Sequence, residues 1–406
     1  MNVAVAGAGK MGGEIFRLLA RSPLDVTLYA RNAAQAGEHE RKCLKDLRRS
    51  ARRGTITRQE AESRRKRLRV TDNPADLAAA DLVVEAITED FDRKAAFFKQ
   101  IEGIVRPDAV LVSNSSSLSI ERMGSGLRYP GRFCGLHFFH PAALIRLVEI
   151  IFWSGSSKEL RGFLRDFCGG ISRIPIEVRD GPGSVINSIL AYYYTEALYI
   201  LEEGQAVPSK VDALARTFCS LGPCESADAV GIDLFVRGLR NTTAMGGLFG
   251  TRAAGNAERL LTRDECAGRG GFHVPYLFQV LLAANRLGRK TSAGLYRYDG
   301  DRPVDDRADF YVDPSITRGP VERQADDVLS RRLLYAILNG ALYSLRAGSA
   351  SAADLDRGMK EVLLMERGPF ELMEVMGEER VRHDFDMLAG AVGARFRQES
   401  GWLSWR

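Results

Sequence analysis

The 406 residues, 45% hydrophobic and 27% charged, suffice for two or three domains with sizeable cores. No apolar run reaches the roughly 18 residues of a membrane span, and Met1 and Asn2 lead straight into "VAVAGAG", so no signal segment, preceding domain or membrane partner is expected. The net charge is +5, six scattered cysteines (43, 134, 168, 219, 224, 266) lack metal-ligand spacing, and only five histidines are present; a reduced, cytoplasmic protein without a metal site follows.

Residues 2–6, "NVAVA", read as a buried strand followed at once by Gly7-Ala8-Gly9-Lys10-Met11-Gly12. Ile15, Leu18 and Leu19 of "GEIFRLLARS" share one helical face, and "DVTLYA" is a second strand. The glycines therefore occupy the turn of a βαβ unit. Residues 41–69 carry thirteen Lys/Arg against Asp46, Glu60 and Glu62, which leaves the rest of the chain net negative. This stretch is either a solvated helical face or a landing surface for a small polyanion. It lacks the interleaved aromatics and motif spacing of a nucleic-acid binder, so no nucleic acid partner is expected. Further along, "ADLVVEAI" (strand), "DRKAAFFKQIEGIV" (helix) and "AVLVSNSS" (strand) precede "RFCGLHFF", "LVEIIFW" and "RIPIEVRD". The alternation implies an α/β, Rossmann-like, doubly wound sheet over residues 1–180.

At Asp180-Gly181-Pro182-Gly183 the pattern turns helical, giving a first all-α domain over 181–298. A polar segment, 299–328, reads as a linker into a second helical domain within 299–406. The two helical blocks are related. "ALYILEEGQAVPSKVD" (197–212) aligns without a gap on "ALYSLRAGSASAADLD" (341–356), and Gly222-Pro223 and Gly231 match Gly368-Pro369 and Gly377. A duplicated domain whose copies bury their apolar faces on each other is expected. Such a chain is a monomer or a homodimer.

Four clusters can carry chemistry. Gly7-x-Gly9-x-x-Gly12, between a strand and a helix, suits a dinucleotide pyrophosphate: Gly7 for the tight turn, Gly9 for backbone approach, Gly12 for close packing. "SNSSSLSI" (113–120), with Asn114 and Ser116, ends a parallel strand, where side chains face the ligand crevice. His137 and Glu149 flank a proline-containing turn; a carboxylate that fixes the tautomer of a histidine is what a general acid/base needs. Asn187 lies four residues into the helical block.

These segments make the chain resemble the L-3-hydroxyacyl-CoA dehydrogenase family, in the long form with two helical domains found in the multifunctional fatty-acid β-oxidation subunit. The resemblance runs through "GAGKMG", "VVEAITEDFDRK", "NSSSLSI", "GLHFFHPAALIRLVEII", "DGPGSVIN", "LEEG" and "RLGRKTSAGLYRY". It implies that His137 removes the 3-hydroxyl proton as hydride leaves C3, with Glu149 orienting it. It also implies that Ser116 and Asn187 hold the 3-oxygen, with Asn114 beside them, and that Glu89 and Lys94 border the nicotinamide ribose. The basic stretch would form a helical tail that touches CoA, the acyl-CoA substrate's polyanionic end. Departures from the family pattern are Ser188 for arginine, Ser115 for threonine and His140 for asparagine.

The stretch "LYARN" (28–32) departs most tellingly. Where the family carries an aspartate for the ribose 2′-hydroxyl, this chain has Ala30, followed by Arg31 and Asn32. Loss of the carboxylate and gain of a planar cation favour a 2′-phosphate, so NADP(H) is expected over NAD(H). Alternatives are the same chemistry on an acyl-carrier-protein-bound chain or a free 3-hydroxy acid, and a retired cofactor-binding protein.

Overall fold

The computed structural model describes residues 1–181, 183–236, 275–305 and 323–398. Cys266, His273 and residues 306–322 of the expected linker lie outside these. The chain divides into two compact units, Met1–Gly181 and Pro182–Arg406.

The first unit is built on β1 (Asn2–Ala6), β2 (Asp25–Tyr29), β3 (Leu68–Thr71), β4 (Leu82–Glu85), β5 (Val110–Ser113), β6 (Phe133–Phe138), β7 (Leu147–Phe152) and β8 (Ile174–Arg179). They form one sheet in the order β3-β2-β1-β4-β5-β6-β7-β8. Pairing is parallel from β3 through β6, antiparallel between β6 and β7, and parallel again to β8. This is the doubly wound, Rossmann-like arrangement, with the chain reversing direction across the sheet between β1 and β4. Every residue of β4 to β7 is buried, as strands covered on both faces must be.

Helices α1 (Lys10–Leu19), α2 (Ala33–Arg52), α3 (Arg58–Lys66), α4 (Phe91–Glu102), α5 (Ile120–Gly124) and α6 (Glu159–Gly170) complete the unit. Ile15, Phe16, Leu18 and Leu19 form the buried side of α1. The basic stretch folds as the rest of α2, all of α3 and the edge strand β3. The strand was not foreseen: four residues, "LRVT", end an arginine-rich run whose only clear signal is helical. Helix α3 starts at a capping box between Thr57 and Glu60. At the far end of the sheet, Asp180 accepts hydrogen bonds from Ser119 Oγ and from the Ile120 and Glu121 N–H groups, capping α5 from across the unit.

In the second unit two sets of helices carry matching contacts. Helices α7 (Val185–Glu202), α8 (Pro208–Ala215) and α9 (Pro223–Val230) have counterparts in Asp326–Arg346, Ala352–Val362 and Pro369–Met376. Asp212 accepts from the Cys224 and Glu225 N–H groups (2.7 and 3.0 Å); Asp356 accepts from those of Phe370 and Glu371 (2.7 and 3.2 Å). Any side chain at Gly222 or Gly368 would collide with its aspartate. Burial, the largest influence, pushes both carboxyls up to about 6.

Helix α7 packs on Asp326–Arg346, where a side chain at Gly340 would strike Tyr192 and the Ile189 backbone. Arg332 and Arg395, both buried, reach Glu196 at 2.6 and 2.8 Å, tying the copies together. Removing one partner of such a pair costs about 3–5 kcal/mol, because the other is left charged and dry. Residues 299–305, placed at the start of the linker by polarity, instead belong to a hairpin of Arg297–Asp299 with Arg302–Asp305. Tyr298, one residue before the expected linker, buries its hydroxyl on Asp228.

Candidate functional site

The carboxyl ends of β1, β4, β5 and β6 meet along one rim of the sheet. In the ladders Ala6 pairs with Glu85, Glu85 with Ser113, and Ser113 with Gly135, two residues before His137. The loops after these strands therefore converge in the crevice where open α/β sheets bind ligands.

At β1 the chain turns through Gly7, whose φ of +116° and closeness to the Ala86 carbonyl exclude a side chain. At Gly12 a Cβ would strike the Gly7 carbonyl, whereas the space beside Gly9 is open for 4 Å. Gly9 is the N-cap of α1 and supplies no side-chain cap, and no acid lies in the first turn of Lys10, Met11 and Gly12. The N–H groups and positive dipole end of α1 are thus left for an anion, which fits the pyrophosphate of a nicotinamide dinucleotide. His39 of α2 braces this loop, its Nε2 2.9 Å from the Ala8 carbonyl and its Nδ1 3.4 Å from Arg17. Burial, ahead of the neighbouring cations, holds its pKa below the usual value; facing a carbonyl oxygen, Nε2–H donates.

At the end of β2, Ala30 is buried and donates its N–H to Thr71 at the end of β3. Arg31 is exposed, with no hydrogen bond or ion pair among the described residues. Asn32 turns its Oδ1 to the Ala34 and Gln35 N–H groups as the N-cap of α2, which leaves its amide NH₂ as a donor.

The serine-rich loop after β5 is organised by one carboxylate, Glu89, whose side chain is 33% exposed. Glu89 Oε1 collects Ser115 Oγ (2.6 Å), Ser117 Oγ (3.0 Å) and the N–H groups of Ser116 and Ser117 (3.2 Å each). Its other oxygen lies 3.3 Å from Lys94 Nζ. Burial opposes the charge of Glu89, but Lys94 and the serine donors outweigh it and hold the carboxyl below its usual value. Ser115 thus has a defined task despite departing from the family's threonine. Ser116 itself is exposed at the tip. Asn114 Oδ1 accepts the Phe138 N–H at 2.8 Å, fastening the end of β5 to the end of β6.

On β6, His137 is the register partner of Glu149 on β7, and its Nδ1 lies 2.9 Å from Glu149 Oε2. Both are buried, Glu149 completely. Facing a carboxylate, Nδ1 carries the proton and donates, which leaves Nε2 as the basic nitrogen. Phe139 packs against the imidazole at 4.6 Å between centroids. His140, a turn residue, is tied to α1 through Glu14 Oε2 at 3.0 Å.

Asn187 lies in the second unit, exposed in the first turn of α7, where its N–H bonds the Ser184 cap. Ser188 bonds back to the Ser184 carbonyl. Two further acids, Glu14 and Glu85, were not singled out by sequence. Glu85 closes an apolar strand, and its partner Lys94 is brought to it only by the β4–α4 turn.

A family model described as the 3-hydroxyacyl-CoA dehydrogenase NAD-binding domain matches residues 2–181. The corresponding C-terminal domain model matches residues 183–298 and 329–404. The chain is 30% identical to a 3-hydroxybutyryl-CoA dehydrogenase of Clostridioides difficile, over 74% of this chain and 100% of that protein. It is 29% identical to a fatty acid oxidation complex subunit alpha of Psychrobacter cryohalolentis, over 87% of this chain but 47% of the relative. The chain thus spans about half the length of that relative. The fold is shared with the crystal structure of 3-hydroxybutyryl-CoA dehydrogenase from Escherichia coli K12, with a TM-score of 0.82 at 23% identity, covering 99% of this chain and 97% of that one. The chain belongs to the 3-hydroxyacyl-CoA dehydrogenase family.

Proposed function

We propose that the chain interconverts (S)-3-hydroxyacyl-CoA and 3-oxoacyl-CoA with a nicotinamide cofactor, and that it prefers NADP(H). The observation that carries the reading is the buried His137–Glu149 pair at the crevice rim. The bound cofactor supplies hydride acceptance at its nicotinamide. His137 Nε2 takes the 3-hydroxyl proton in oxidation and returns it in reduction, while Glu149 stabilises the imidazolium across Nδ1. Ser116 holds the substrate's 3-oxygen, Asn114 keeps β5 and β6 in register beside it, and Glu89 and Lys94 border the nicotinamide ribose. The α1 N-terminus and Gly9 receive the pyrophosphate.

The NADP(H) preference rests on Ala30 and Arg31. A buried alanine offers no carboxylate to repel a 2′-phosphate, and Arg31 is an untethered guanidinium next to it. The basic face of α2 suits the phosphates of CoA, since Arg41, Lys45, Arg48, Arg49 and Arg52 line one groove. That face also keeps an acyl-carrier-protein substrate in view. No described helix is long and apolar enough to cross a membrane. Turnover of acetoacetyl-CoA by the parent chain, and its loss by 10²-fold or more in His137→Gln with cofactor binding retained, tests the reading. Near-normal turnover in the variant contradicts it.

A further inference from the structure

Glu85 is fully buried and no step above uses it. Its Oε1 accepts from Lys94 Nζ at 2.5 Å and from the Ile87 N–H at 2.7 Å; its Oε2 accepts from Ser113 Oγ at 2.6 Å. Among the described residues, the oxygens around the Nζ of Lys94, 1% exposed, are Glu85 Oε1, Glu89 Oε2 and the more distant Ile87 carbonyl at 3.5 Å. One buried ammonium is therefore shared between a buried carboxylate, Glu85, and a partly exposed one, Glu89, and the shorter contact is to Glu85.

The division of labour at Glu89 follows from that sharing. Lys94 reaches only Oε2, so Oε1 is free to gather the two serine hydroxyls and the two N–H groups that shape residues 115–117. Without the negative charge of Glu85, a buried ammonium would have one strong anionic partner left. It would draw closer to Glu89 and compete with the serine donors, because an unpaired charge in that environment is costly. Glu85 cannot touch substrate; its effect must travel through Lys94 and Glu89 to the tip of the loop.

We propose that Glu85 is a positioning residue: by holding the Lys94 ammonium off Glu89 Oε1, it fixes the serine-rich loop and, with it, Ser116. The kinetic consequence rests on the dehydrogenase reading, whereas the structural consequence does not. Hydrogen exchange at the Ser116 and Ser117 amides of the full chain, compared with Val3 and Val5 of β1, tests it in Glu85→Gln. Exchange at Ser116 and Ser117 is expected to quicken about tenfold, with Val3 and Val5 within twofold. With acetoacetyl-CoA, kcat should fall about tenfold while its KM moves less than threefold. Unchanged exchange at Ser116 and Ser117, or equal quickening at Val3 and Val5, would overturn the proposal. If the parent does not turn over acetoacetyl-CoA, the dehydrogenase reading falls and the exchange result alone decides on Glu85. Adding Glu85→Gln to Lys94→Gln, a charge-free pair that guards against misfolding of the single variant, should quicken exchange no further than Lys94→Gln alone; multiplied effects would exclude the route through Lys94.

Discussion

His137 and Glu149 face each other across the one antiparallel ladder of the large sheet, Nδ1 2.9 Å from Oε2, in strands that are otherwise apolar. The pair is costly to bury and is held by register rather than by a loop, so its geometry cannot drift. Glu149→Gln keeps the shape but removes the charge that stabilises an imidazolium. A fall in kcat of about 10²-fold, with cofactor affinity unchanged, is expected from steady-state kinetics and cofactor titration. A fall of less than threefold would remove Glu149 from the mechanism.

Cofactor choice turns on Ala30 and Arg31. Ala30→Asp with Arg31→Ile restores an acceptor for the ribose 2′-hydroxyl and removes the cation. The NADPH/NADH ratio of kcat/KM should drop at least tenfold, which corresponds to about 1.4 kcal/mol of differential binding. An unaltered ratio would show that neither residue reads the 2′-position.

The α2 groove makes a separate prediction. Arg48→Gln with Arg49→Gln should raise KM for acetoacetyl-CoA about tenfold and leave kcat within threefold, with a weaker salt dependence than the parent. Neutralising Arg65 of α3, which is already paired with Glu62, should matter less. If acetoacetyl-CoA lacking the 3′-phosphate serves the parent as well as intact substrate does, the groove does not read that phosphate.

The twin aspartates link stability to pH. Burial raises the carboxyls of Asp212 and Asp356 to about 6, above their unfolded value. Between about pH 4 and 6 the folded chain therefore binds more protons than the unfolded one, so stability is fully present below the unfolded value and declines as pH rises through 6. The loss is on the order of 3 kcal/mol for each group. Asp356→Asn imitates the protonated acid at every pH, so its stability deficit in urea should be larger at pH 5 than at pH 7. Equal deficits would contradict the raised value.

Much of this was legible in sequence because short-range spacing encodes it. The glycine turn, the strand ends at Ser113 and His137, and the aligned copies beginning at Ala197 and Ala341 all rest on local pattern. What was not legible depends on long-range pairing. Strand β3 is recognisable only once β2 stands beside it. Glu85 reads as a polar interruption in "VVEAI" until α4 returns Lys94 to it. Tyr298 lies just before the segment read as a polar linker, and nothing local reveals that Asp228 holds its hydroxyl from seventy residues away. Asn32 was placed for a ligand, and its oxygen is also needed to start α2.

The central claim is an NADP(H)-preferring 3-hydroxyacyl-CoA dehydrogenase, and one paired assay tests it most directly. Steady-state reduction of acetoacetyl-CoA is measured with NADPH and with NADH under the same conditions. The account predicts turnover with both and a kcat/KM at least tenfold higher with NADPH. Turnover with neither, or a preference for NADH, would contradict it.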